Sequence, residues 1–390
     1  MSKLVAVVGG GPAGLMAAEV IATAGVRVVL SERMPSVGRK FLLAGRGGLN
    51  LTHTEDLDAF LGRYGAARPR LAAAIDAFGP AELRAWCAGL GEEPFVGSSG
   101  RVFPAGFRAT ALLRKWRERL DALGVDIRMR DAWTGWDSTP EADAVVLALG
   151  GASWPSTGSD GSWASVMKES GIAVTALRPA NCGFVVSWSD AFRTKFAGKP
   201  LKNIALSFGD GSARGDAIVS DDGLEGGPVY ALSAELRDTI ARDGEATVLF
   251  DLLPDIGLDA LEERLARRRA GDSSSSWLRR AGLPPVSIGL LREATTNKLP
   301  DDGPAIARLA KRLPIRLLTP QPIDRAISTA GGIALTEIDD SYMLLRRPGT
   351  FVAGEMLDWE APTGGYLLQA TFSTAVAAAR GALAWLAREW

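Results

Sequence analysis

Three glycines near the start constrain this chain more than any other feature. Residues 4–8 (LVAVV) are apolar and largely β-branched, the composition of a strand buried on both faces. Gly9, Gly11 and Gly14 follow at once as a G-x-G-x-x-G turn. Residues 13–24 are small and apolar, suited to a helix packed close on a sheet, and 26–30 read as a second buried strand with Glu32 at its end. Strand, glycine turn, helix, strand and an acid roughly 20 residues beyond the glycines form the βαβ pattern of a dinucleotide site. The glycines let backbone bend sharply and approach a pyrophosphate, and the helix N-terminus offers unpaired amides to that anion. Glu32 is expected to accept the ribose hydroxyls and to repel a 2′-phosphate.

The segment after this unit extends the expectation. Arg39 and Lys40 are paired bases, Gly45, Gly47 and Gly48 make a flexible turn, and Asn50, Thr52 and Thr54 are small polar groups. Such a loop can run along a diphosphate and set amides against a ring system. Residues 143–149 read as another buried strand ending at Gly150-Gly151, where ligands collect in a doubly wound sheet. At the far end, residues 350–353 form a strand running into Gly354-Glu355, and Gly364-Gly365 precede a helix from about Tyr366 to Ala387. That helix start is expected to face a second electron-rich group of the same ligand.

Between these ends the texture changes. From Cys182 the chain becomes short strands separated by turns such as Asp221-Asp222-Gly223, and it returns to α/β texture near 323. The expected organisation is one α/β domain in two parts, residues 1–185 and 323–390. Residues 186–322 are then an inserted β-rich domain with a helical subdomain at about 255–312. Gly209-x-Gly211 follows a strand but opens no helix, so it is not a second nucleotide motif.

Composition narrows the chemistry. The net charge is −1, so no global field attracts nucleic acid or acidic membranes. His53 is the sole histidine, and Cys87 and Cys182 are the sole cysteines, which leaves few bases near neutral pH and no disulfide framework or metal site. A bound cofactor has to carry most of the chemistry. Met1 opens directly into a strand and no apolar run approaches a membrane span, so the chain is expected to be soluble and cytoplasmic.

Four segments together carry a family resemblance: the glycine motif ending in Glu32, GRK-FLLAG-x-GG-x-N at 38–50, ALGGASWPSTGSDG at 148–161, and AGE-x-LD followed by TGGY-x-LQ at 353–369. In order and over most of the chain they resemble the HI0933-like (BaiN-like) flavoproteins. The resemblance implies an FAD-binding Rossmann-like domain of the two-dinucleotide-binding type, with an inserted antiparallel β-barrel and a small helical subdomain. It implies that Gly9, Gly11, Pro12, Ala13 and Gly14 hold the pyrophosphate and that Glu32 and Arg33 meet the adenosine ribose. Arg39, Lys40 and Asn50 lie along the cofactor, and Ala132 offers backbone to the adenine. Gly150 approaches the cofactor at its strand end. Gly354, Glu355 and the amides of Gly365, Tyr366 and Leu367 reach the ribityl chain and the pyrimidine end of the flavin. The family commonly carries Cys-Asn where this chain has Leu49-Asn50, so no thiol acts beside the flavin here.

The expected function is an FAD-dependent oxidoreductase acting on a small-molecule substrate, its electrons entering from a reduced substrate or from NAD(P)H bound transiently, with the choice of donor open. An NAD-dependent dehydrogenase and an FAD-holding RNA-modification or binding protein are the alternatives. No side chain stands out as the general acid or base, and the oligomeric state is open.

Overall fold

A computed structural model describes residues 3–44, 48–269 and 271–388. Gly45 and Gly47 of the expected turn lie outside them. The chain divides into two compact units, Met1–Pro179 with Ile323–Trp390, and Ala180–Pro322.

The first unit is built on a five-stranded parallel sheet. Its order is Thr350–Val352, Ala144–Leu147, Leu4–Val8, Arg27–Glu32, Asp126–Met129. Val5 to Val8 are at most 1% exposed, as a central strand covered on both faces must be. The chain leaves this strand toward one side and later returns on the other, so the order reverses at the carboxyl ends of Leu4–Val8 and Ala144–Leu147, where ligands collect in such sheets. Helix Pro12–Thr23 covers one face with Leu15, Met16 and Ile21. It packs on the long final helix Tyr366–Arg388, whose inner face is alanine-rich and allows close approach. Gly14 sits at the closest point of the glycine turn: a Cβ there would run into the carbonyl oxygen of Gly9.

Short helices Leu57–Gly62, Arg68–Ala77 and Pro80–Gly89 follow the first cofactor-type segment. A small antiparallel sheet, Thr52–His53, Arg101–Phe103 and Phe95–Val96, lies in the same unit.

The second unit carries a seven-stranded antiparallel sheet, and Phe184–Val185 belongs to it by pairing with both Gly223–Gly226 and Thr319–Pro320. Residues 180–185 therefore go with this unit, a few residues earlier than the change of texture suggests. Between strands Ala246–Asp251 and Leu313–Leu317, the described residues form helices Leu258–Ala266, Ser274–Arg280, Pro285–Ala294 and Gly303–Lys311. No helix among the described residues is long and apolar enough to cross a membrane.

Candidate functional site

A cavity of about 590 Å³ opens at the carboxyl ends of the parallel strands, and every residue bordering it belongs to the first unit. Its floor is the glycine turn. Gly9 takes φ +105°, and a Cβ there would fall on the Ala148 carbonyl; at Gly11 a Cβ would meet nothing within 4 Å, so its face is open to the cavity. Pro12 opens the helix where an N–H would be unpaired in any case, and the first turn holds no acid. The second helix start, at Gly365 and Leu367, borders the same cavity and also has no acid in its first turn. Two partial positive ends therefore converge on one space.

Glu32 stands at the rim of this floor but is buried, 8% exposed. Its Oε2 accepts the Gly10 N–H at 2.7 Å and its Oε1 accepts the Met34 N–H at 2.7 Å. Burial raises its pKa above the ordinary glutamate value, with the two amides and the nearby Arg33 and Arg39 opposing that shift. The carboxylate is thus a structural clasp of the loop as well as a group facing the cavity, a role its position at a strand end does not announce. Beside it, Ser31 Oγ donates to Asp131 Oδ2 at 2.6 Å. Arg33 pairs with Asp160 at 2.6 Å. Burial disfavours the Asp160 carboxylate, but Arg33 and the Ser162 donors together hold its pKa below the ordinary range.

On the opposite wall, Lys40 Nζ donates to Ser153 Oγ and to Glu355 Oε2, each at 2.6 Å. Glu355 Oε1 accepts the Thr329 N–H at 2.9 Å. Four segments distant in the chain are tied together there.

The cavity gathers Gly9, Gly11, Pro12, Ala13, Glu32, Arg33, Arg39, Lys40, Asn50, Gly150, Glu355, Gly365 and Leu367. Four other expected residues do not border it. Gly14 is spent on packing beneath the turn, and Gly354, at φ +75°, lies against Ala13. Tyr366 points away, stacked on His53 at 5.6 Å, and its carbonyl accepts the Tyr64 hydroxyl at 2.8 Å. Burial raises its phenol well above the usual range. Ala132 is exposed because the strand ends at Met129 and Arg130, at φ 58°, turns the chain; Asp131 and Trp133 border the cavity instead.

Sequence reasoning passed over Trp154, Trp163 and Trp359, all on the cavity wall. Trp154 takes φ 62°, an uncommon left-handed conformation for a bulky residue. Trp163 donates to the Gly150 carbonyl and Trp359 to the Gly354 carbonyl, each at 2.9 Å. The quoted ALGGASWPSTGSDG stretch held the first of these, yet a lone tryptophan in a loop carries no periodic signal.

Three buried polar atoms on residues of the cavity wall have no protein partner: Arg39 Nε, Asn50 Oδ1 and Ser159 Oγ. Buried polar groups are nearly always paired, so these ask for a polar ligand or water. A Cβ-free cradle, two helix starts, a ribose-type acid and three orphaned polar atoms fit FAD. No group of three or more potential metal-ligating side chains clusters among the described residues.

The 3-dehydro-bile acid delta(4,6)-reductase of Clostridium scindens is 26% identical over 97% of this chain and 98% of its own. The open conformation of a flavocytochrome c3 fumarate reductase has the same fold at a TM-score of 0.51 and 15% identity, over 98% of this chain and 78% of that one. The 3-ketosteroid delta1-dehydrogenase of Sterolibacterium denitrificans superposes at a TM-score of 0.50 and 12% identity, over 98% of this chain and all of that one. Residues 3–381 match the HI0933-like protein Rossmann domain, and the chain belongs to that family, as an FAD-binding oxidoreductase.

Proposed function

We propose that the cavity seats FAD as an extended ligand and that a small organic substrate meets it at the cavity mouth. The observation that carries this reading is the set of unpaired polar atoms, Arg39 Nε, Asn50 Oδ1 and Ser159 Oγ, on the wall of a cavity where two helix starts converge. In this reading Gly9, Gly11 and Ala13 bring backbone against the diphosphate, and Glu32 accepts ribose hydroxyls with the lone pairs its two amide bonds leave free. Gly365 and Leu367 offer amides to the electron-rich end of the ring. Two of the three N–H groups of Lys40 are taken by Ser153 and Glu355, which leaves one for a group in the cavity. The tryptophans shield the space from water and so strengthen every charge inside it. When bound, FAD supplies reversible two-electron transfer.

The name of the Clostridium scindens relative supports a ring-bearing, largely apolar substrate, and reduction of such a compound is the reaction class we assign. Only the first glycine motif has the full strand–turn–helix–acid pattern, so NAD(P)H is read as a transient donor in the substrate cleft. The test is anaerobic: holoenzyme reduced by NAD(P)H or dithionite is mixed with cyclic enones, and reoxidation of the visible flavin band is followed. Failure of every enone to reoxidise the flavin, with rapid reoxidation by oxygen, would replace the reductase reading with an oxidase.

The same reading includes an inserted barrel. The chain from 313 to 320 pairs by its first half with Ala246–Asp251 and by its second half with Phe184–Val185, so one run of chain occupies both edges of the antiparallel sheet. Closure into a barrel leaves no free edge. Hydrogen exchange tests it: the amides of the edge strand Leu313–Leu317 that Ala246–Asp251 leaves unpaired exchange slowly in a closed barrel, and fast exchange there marks an open sheet.

A further inference from the structure

We propose that the small aromatic hairpin beside the cavity is a substrate subsite for an amphipathic monoanion. Arg101 takes a carboxylate or sulfonate, and Phe95, Phe103 and Phe107 take the apolar body. This rests on the reading that substrate enters at that mouth, and it adds which chemistry the substrate carries.

The hairpin's alternation sets up the surface. Phe95 lies opposite Phe103 and Val96 opposite Val102. Val102 is fully buried, so its neighbours Arg101 and Phe103 project to the other face. Phe103 is followed four residues on by Phe107, whose φ of 60° turns it back toward the hairpin. The three rings meet, with centroids 5.7 Å apart for Phe95 and Phe103, 4.9 Å for Phe103 and Phe107, and 6.3 Å for Phe95 and Phe107. Phe95 and Phe107 are each 43% exposed. An exposed three-ring stack is a poor choice for a hairpin that has only to face water, and such patches mark binding surfaces.

The stack abuts the cavity wall. A Cβ on Gly48 would meet the Phe107 ring at 2.5 Å, and the Phe107 carbonyl accepts the Leu49 N–H at 2.9 Å. Gly48, Leu49 and Arg101 all border the cavity. Arg101 is exposed and has neither an ion pair nor a side-chain hydrogen bond among the described residues, unlike the nearby Arg63 and Lys115, which pair with Glu55 and Glu92. A free planar guanidinium beside an apolar platform matches a single carboxylate bidentately. Of the cavity's other cations, Arg39 is assigned to the cofactor and Lys40 and Arg33 are held by Glu355 and Asp160, which leaves Arg101 for the substrate.

The test uses FAD-loaded protein and two probes, 1-pyrenebutyrate and the neutral 1-pyrenebutanol. Anisotropy reports binding, and quenching of pyrene emission with a shift of the flavin band reports proximity to the cofactor. The acid is expected to bind at least about tenfold tighter than the alcohol. Arg101→Gln should remove that preference and leave the alcohol's affinity unchanged, with Arg101→Lys restoring part of it. Phe107→Ser should weaken both probes. Equal binding of the acid by wild type and Arg101→Gln overturns the proposal. So does a wild-type dimer that dissociates in Phe107→Ser, which would assign the patch to a second copy. Flavin content is measured in each sample: a yellow protein that ignores both probes sinks the subsite alone, whereas a colourless protein that still binds the acid strikes the cofactor reading instead.

Discussion

Lys40 and Glu355 are 315 residues apart in the chain and form an ion pair at 2.6 Å on the cavity wall. Both are largely shielded, with side-chain exposures of 24% and 17%, so the pair is screened less than a surface bridge. Removing the lysine leaves a carboxylate without its cation beside the place assigned to the flavin. Lys40→Met should retain FAD and lower its midpoint potential by roughly 30 mV or more, the two-electron equivalent of about 1.4 kcal/mol. Equilibration against reference dyes measures it. An unchanged potential would mean that the lysine only ties the loops together.

Gly11→Ala separates cofactor contact from folding. Gly11 has φ −78°, open to any residue, and its added Cβ would touch no protein atom within 4 Å. The melting temperature of the apoprotein should therefore not change. If the diphosphate lies on this backbone, FAD affinity should fall by about tenfold or more, as one displaced charge-assisted contact implies. Gly9→Ala is the contrast, since its positive φ and the Ala148 carbonyl leave no room and should destabilise the apoprotein itself. Thermal melts with and without FAD distinguish the two behaviours.

Glu32→Ala is expected to weaken FAD binding by about one to two orders of magnitude, from the loss of charge-assisted bonds worth roughly 1.5–3 kcal/mol. An acid at an exposed strand end would leave the fold indifferent to this change. The buried carboxylate found here predicts otherwise: the Gly10 and Met34 amides lose their acceptor, at a cost of about 1–3 kcal/mol each. Glu32→Gln keeps one acceptor oxygen and should lose less of both. Denaturant melts and flavin fluorescence titrations read the two effects separately.

The same residue predicts a pH dependence. Burial raises the Glu32 pKa in the fold, so its neutral form is favoured there relative to the unfolded chain. Its contribution to apoprotein stability is then fully present below the ordinary glutamate pKa and is lost as pH rises through the raised value. The carboxylate accepts ribose hydroxyls more strongly than the neutral acid, so FAD affinity should rise over that same interval. Glu32→Gln should show neither trend, and titrations across the acidic range compare the two proteins.

Asn50→Ala should leave the apoprotein as stable as before or slightly more so, since it deletes a buried oxygen that has no partner. FAD affinity should fall by about tenfold if the cofactor is what satisfies that oxygen. Calorimetric titration of apoprotein with FAD gives the answer. Full affinity in the variant would return Asn50 to the role of a water-bound wall residue.

What could be read ahead of the structure was local. Gly9 is legible because a strand end, a positive φ and a helix start fall within a few residues of one another, and Gly364-Gly365 before a helix is of the same kind. Asp131 and Ser31 meet only because two parallel strands lie side by side, a fact no single segment carries. On the wall, Trp154 and Trp359 stand in separate loops and Trp163 opens a helix, and each alone looks like a core residue. Glu32 was visible as an acid at the right spacing, but its two amide bonds depend on how Val37 and Gly38 fold the next loop back over Gly10. Ala132 is a different case: the resemblance set its backbone at the adenine, and in the structure the strand ends at Met129, left-handed Arg130 turns the chain, and Asp131 and Trp133 border the cavity.

The pairing of the first and last helices also sets a schedule. The glycine turn leaves the ribosome with the first few dozen residues, whereas Gly365 and Leu367, on the facing wall of the cavity, follow more than three hundred residues later. At translation rates of about 5–20 residues per second the nascent turn waits tens of seconds for its counterpart. For the first part of that interval the strand of Leu4–Val8 lacks its neighbour Ala144–Leu147, and Thr350–Val352, which pairs with Ala144–Leu147, arrives only near the end. On the proposed seating, cofactor capture is a late event in the life of each chain, and a message truncated before the final helix is expected to yield colourless protein.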